Sequence, residues 1–132
     1  MTTTNANDRM TESNIAEHAI RSRLEGSMNE QANARAERID WSTMKRLGRT
    51  QAQIDIYGTA VRHLDAGTPI AEVLASTIET LTDALLGNTH RPSSTCPFSN
   101  ALEIEWCEVA AHSLRELKSL LRCVKREAER AA

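Results

Sequence analysis

The sequence predicts an all-α protein, a bundle of four to five helices ending in one long C-terminal helix. Three observations carry this. Apolar residues recur at spacings of three and four through most of the chain. Gly, Pro and Ser/Thr/Asn residues fall where helix ends need them. Aromatic side chains make up only 3% of the 132 residues, so Leu, Ile, Val, Ala and Met must fill the core, a palette that suits helix-on-helix packing. A chain of this mass buries roughly two-thirds of the surface it exposes when unfolded, enough for a core without disulfide or metal staples.

Residues 1–10 show no apolar periodicity and cannot offset the entropy of ordering, so they are expected to form a disordered tail, with residues 11–132 making a single helical domain. Ile15, Ala19, Ile20 and Leu24 then mark a first helix that Gly26 is expected to end. Ser27 and Glu30 have the form of a capping box opening a second helix toward Ile39. The two segments can also fuse into one. Residues 40–48 are the least regular stretch. The next helix is expected over residues 51–66, opened by the cap pair Thr50 and Gln53, with Ile54, Tyr57, Val61 and Leu64 facing the core and Gly67 supplying a left-handed stop. Gly58 within it costs about 1 kcal/mol against Ala unless a neighbour packs closely there.

The clearest helix follows. Thr68 is its cap and Pro69 its first residue; Ile70, Val73, Leu74, Ile78, Leu81 and Leu85 form its stripe, and Gly87 its stop. Residues 87–99 hold two prolines and several hydroxyl residues and read as a loop. The long C-terminal helix is expected over residues 100–131, uninterrupted by Gly or Pro. At 1.5 Å per residue it would reach about 48 Å, longer than a compact domain of this size is wide, so part of it should overhang, bend or meet another chain.

Charge is unevenly placed. Residues 1–49 carry eight basic and seven acidic side chains, residues 50–111 two and eight, and residues 112–132 six and three. Cys96, Cys107 and Cys123 are an odd set without C-x-x-C spacing, which argues against a disulfide framework or a zinc ribbon. No run approaches the roughly 18 apolar residues needed to span a bilayer, and residues 1–11 are polar where a signal peptide needs an apolar stretch, so the reading is a cytoplasmic protein without membrane contact.

The last helix carries the candidate binding residues. Cys107, Ala110, Leu114, Leu117, Leu121, Val124 and Ala128 follow the spacing of a coiled-coil seam. This seam either packs on the rest of the protomer or forms a dimer or captures a partner helix; on the second reading Leu114, Leu117, Leu121 and Val124 bind protein. Beside it run Arg115, Lys118, Arg122, Lys125 and Arg126, candidates for binding nucleotide or nucleic acid. Glu116, Glu127 and Glu129 dilute that stripe, no aromatic residue interleaves it, and acids first with bases last is what a helix dipole favours in any solvated helix.

Motifs for chemistry are absent. There is no Gly-x-Ser-x-Gly elbow, no phosphate-cradling Gly-rich loop and no His-Glu-x-x-His. Glu105, Glu108 and His112 share one helix face and Glu79 with Asp83 another, but the Glu-x-x-His pairs of di-iron bundles and the acidic clusters of all-α pyrophosphatases are missing, so no metal or other cofactor is expected. Cys96 lies near His90 and Arg91, whose charge lowers a thiol pKa, yet a loop thiol is far more often inert. Residues 47–54 resemble the opening of a repressor's helix-turn-helix, but one continuous pattern runs on to residue 66 and an acidic helix follows, which phosphate would repel.

These readings converge on a non-catalytic helical protein-binding module of adaptor or inhibitor type, expected to be a homo-oligomer, a dimer built through the C-terminal helix. In size, acidic middle and lack of catalytic motifs it resembles the small inhibitors and adaptors carried by phages and mobile elements, including those that block bacterial defence systems. The alternative is an oligomer that binds or sequesters nucleotide or nucleic acid through the basic C-terminal helix.

Overall fold

Gly26 does not end the first helix. The computed structural model describes residues 11–88 and 97–131, and α1 runs unbroken over Glu12–Arg35, capped by Thr11, whose hydroxyl accepts from the amide of Asn14 at 3.1 Å. Ser27 caps nothing. It is buried and donates to Gln53 Oε1 at 2.7 Å, tying α1 to its neighbour.

α2 spans Trp41–Asp65, so it begins well before the expected residue 51 and absorbs the stretch that looked irregular. Its cap is Asp40, which accepts from the amide of Thr43 at 2.8 Å. Thr50 lies inside the helix and turns its hydroxyl back to the carbonyls of Arg46 and Leu47. Gly48 reads as a breaker in sequence but serves a close approach, since a Cβ there would lie 2.7 Å from Leu102 Cδ2. At Gly58 the nearest atom to such a Cβ is Leu24 Cδ1 at an ordinary 3.8 Å. The helix ends as expected. Gly67 has φ 93°, its amide donates to Leu64 and that of Thr68 to His63, the paired bonds of a Schellman motif.

α3 spans Ile70–Asn88 and α4 spans Pro97–Ala131, passing Gly87 by one residue and starting three before residue 100. The connection between them is therefore shorter than the expected 87–99. The expected tail of residues 1–10 and the remaining loop residues, Cys96 among them, lie outside the described residues.

Side-chain pairs give the topology. Arg21 meets Asp65 and Ser27 meets Gln53, so α1 and α2 are antiparallel. Arg23 meets Glu116, and Glu127 meets the start of α1, so α1 and α4 are antiparallel too. Gly48 faces Leu102 and Lys45 pairs with Glu105, while Tyr57 bonds Ser113 further along, so α2 and α4 run parallel. The four helices go up, down, up, down, with α2 and α4 touching along the bundle's short diagonal. Small buried residues permit that approach: Ala52 and Ala60 of α2 and Ala110 of α4.

The core joins Ile20 of α1, Ile56, Tyr57 and Leu64 of α2, Val73, Leu74 and Leu81 of α3, and Val109, Leu117 and Val124 of α4. On α2, Tyr57 and Leu64 face inward as expected, whereas Ile54 and Val61 sit half-buried on the flank. Alanines hold the centre of that face, and a reading weighted to large side chains is turned away from them. Tyr57 is the largest fully buried side chain; burial raises its pKa, opposed by the hydrogen bond with Ser113. The expected overhang of α4 is also absorbed: the bundle is elongated, and α1 accompanies α4 as far as Glu127.

Candidate functional site

The residues singled out on α4 separate into two populations. Leu117 and Val124 are buried, and Leu114 and Leu121 are half-buried against the same cluster. All four point into the protomer, where they meet the other helices. The seam spacing is therefore accounted for by packing within one chain, with Cys107 half-buried at one end and Ala128 exposed at the other.

Arg115, Lys118, Arg122, Lys125 and Arg126 are all exposed and lie on the solvent flank of α4, beside the seam. Among the described residues no ion pair reaches any of them. The acids credited with diluting this stripe are mostly elsewhere. Glu116 is turned to α1, where it accepts from Arg23 Nε at 3.0 Å and holds its pKa up. Glu127 accepts from the backbone amides of Glu12 and Ser13 and so caps the start of α1 in trans. Of the three, only Glu129 remains exposed on the solvent side of α4.

A second surface lies at the end of the bundle where α1 finishes and α2 and α4 begin. Ile39 is 78% exposed, Trp41 52% and Ile104 59%, and Leu86, at the same end of α3, is 62% exposed. Toward the same end of the bundle a groove of 460 Å³ opens over Met44, Leu47, Leu102 and Trp106, bordered by Arg35 and Gln51. A further hollow of 420 Å³ is framed by Trp41, Lys45, Arg46, Arg49 and Glu105. Glu105 is buried, and its carboxylate is held by Lys45 at 3.1 Å and Arg49 at 3.7 Å. Arg46 is held in turn by Glu30 and Glu37. The cations around Trp41 are thus anchored by internal acids. Sequence reading passed over this surface, although one signal was present: Ile39 and Trp41 are large apolar residues belonging to no helical stripe.

The carboxylates examined as metal ligands do not assemble. Glu105 is committed to two cations, Glu108 and His112 are exposed, and Glu79 and Asp83 are exposed on α3; among the described residues no group of three or more ligand-type side chains could hold a metal ion. His63 makes no pair with Asp65, which binds Arg21 at 2.8 Å. The Cys107 thiol is pushed up in pKa by burial and by Glu103, away from reactivity. Ser22 and His18 approach at 3.3 Å on the exposed face of α1, without a third group to orient the ring. A helix-turn-helix is excluded because α2 is continuous through residues 47–54. Among the described residues, no helix is long and apolar enough to cross a membrane.

The described residues form an all-α bundle of four helices, and its two distinctive surfaces are on the exterior. No protein-family model matches the chain, and neither a curated protein nor a solved structure shows significant similarity to it.

Proposed function

We propose that the chain is a non-catalytic protein-binding module of adaptor or inhibitor type, and that it docks through the bundle end around Ile39 and Trp41. The observation carrying this reading is that Ile39, Trp41 and Ile104, each more than half exposed, lie at the same end of the bundle, where an apolar groove also opens. Large apolar side chains clustered on a surface mark interaction sites, and tryptophan ringed by ordered charges is a common energetic anchor of protein interfaces. The internal pairing of Lys45, Arg46 and Arg49 supports it further, since cations already held in place lose little side-chain freedom on docking. A dimer built through the α4 seam would have to open the protomer to offer Leu117, which is fully buried.

The test is affinity capture from a nuclease-treated lysate of the source organism, comparing the wild type with a Trp41→Ala, Ile39→Asp variant of unchanged helicity. The expected result is one stoichiometric protein retained by the wild type and lost from the variant. Equal retention by both would refute this surface as the docking site.

A further inference from the structure

The outer face of α4 is a second surface, independent of the bundle end and of the reading built on it. Its five exposed cations, Arg115 to Arg126, occupy eleven residue steps of one uninterrupted helix, or about 16 Å. What distinguishes them is that five stand on one face of one helix and that, among the described residues, no ion pair reaches any of them. Other exposed cations without an ion pair, Arg35, Arg38, Arg62 and Arg130, are spread over α1, the turn after it, α2 and the last turn of α4, while Arg21, Arg23 and Arg46 are held by Asp65, by Glu116 and by Glu30 with Glu37. On α4 two of the three neighbouring acids, Glu116 and Glu127, are turned to α1, and only Glu129, at the end of the row, is left on the solvent side. The helix dipole explains why bases sit late in α4, but it does not explain why the neighbouring acids point elsewhere.

We infer that this face binds the phosphodiester backbone of duplex nucleic acid without reading its sequence. Three features favour that ligand. The row lies along one uninterrupted helix, and 16 Å covers four to five phosphate steps of one strand at about 3.4 Å each along a duplex axis. Between the cations stand Ser119 and, just upstream, Ala111, rather than the aromatic or large aliphatic anchors that a protein interface needs at its centre. With no aromatic side chain on the face, single-stranded bases have nothing on which to stack. The acidic outer face of α3, with Glu72, Glu79 and Asp83, restricts contact to the α4 side.

The experiment is fluorescence anisotropy with a labelled DNA duplex of about 20 base pairs, titrated with the full chain across a range of salt concentrations. Four to five phosphate contacts give a slope of log K against log salt near −4, so affinity falls roughly 100- to 500-fold between about 50 and 200 mM salt. Arg122→Ala with Arg126→Ala, which leaves the core untouched, flattens the slope to about −2. Arg35→Ala with Arg38→Ala, at the far end of the bundle, leaves it unchanged. The inference is overturned by absence of saturable binding at the lowest salt, by binding that the Arg122/Arg126 variant retains in full, or by a single-stranded oligonucleotide or polyglutamate-sensitive partner mode in which the duplex has no advantage. Failure here leaves the Trp41 surface unaffected, because that surface is tested by protein capture with nuclease present.

Discussion

The bundle end around Trp41 and the outer face of α4 are both exposed and both carry cations, yet they are built in opposite ways. At the end, Lys45 and Arg49 share the buried carboxylate of Glu105, and large apolar side chains provide the exposed area. Along the stretch of α4 that carries the five cations, the large apolar side chains face inward, and among the described residues no ion pair reaches those cations. The difference shows that exposure and charge alone do not define a surface. Where the cations are internally satisfied, apolar area is left to drive association; where they are not, the charges themselves remain available.

The largest expected effect separates the inward face of α4 from both surfaces. Leu117 is fully buried, so Leu117→Ala should destabilise the fold by about 2–5 kcal/mol, read as a lower urea midpoint that does not vary with protein concentration. A concentration-dependent midpoint in the wild type, abolished by the substitution, would instead make the seam an interface between chains.

Next comes the bundle end. Trp41→Ala should lower the urea midpoint much less than Leu117→Ala does, because the residue is 52% exposed, while lowering affinity for the captured protein about 30-fold or more, as loss of an anchor residue does. Titration calorimetry with the purified partner checks this. A reversed pattern, with stability lost and affinity kept, would make Trp41 a packing residue.

Smaller effects come from the glycines of α2, which lies between the two surfaces. Gly58→Ala meets only ordinary contact and should stabilise the protein by up to about 1 kcal/mol through helix propensity. Gly48→Ala places a methyl 2.7 Å from Leu102 Cδ2, so Leu102 must move and the propensity gain should be largely cancelled. Paired thermal melts distinguish the two; an equal rise in both would show that α2 and α4 are not in close contact at Gly48.

The smallest effect is a pH dependence at the entrance to α2. Asp40 accepts from Thr43, which holds its carboxyl below the ordinary aspartate value of 3.8, helped by Ser42 and Arg46. A lowered folded pKa contributes stability that is complete above 3.8 and disappears as the pH falls through the folded value. Asp40→Asn keeps a capping oxygen but should remove this part of the acid dependence, measured as the change in urea midpoint between neutral and acid pH. An unchanged acid limb would show that the cap carries no charge contribution.

Much of the fold was legible because it rests on long-period patterns. The α3 stripe, the left-handed stop at Gly67 and the extent of α4 follow from apolar spacing and from the few residues able to end a helix. The misreadings share a cause. Gly26, Gly48, Ser27 and Thr50 have the chemistry of helix ends but lie inside helices, where tertiary packing or back-bonding to a carbonyl decides their role. The α4 cations were visible in sequence, but not the turning of Glu116 and Glu127 toward α1, which depends on a helix a hundred residues away. The surface at Ile39 and Trp41 was illegible for a related reason: it becomes one patch only when the ends of separate helices meet.

The most direct test of the account is amide hydrogen exchange of the full chain, alone and with the captured partner. The account predicts added protection over residues 37–47, spanning Ile39, Trp41 and the first turns of α2, with none over residues 114–126. Added protection confined to residues 114–126, with residues 37–47 unchanged, would contradict it and place the protein partner on α4.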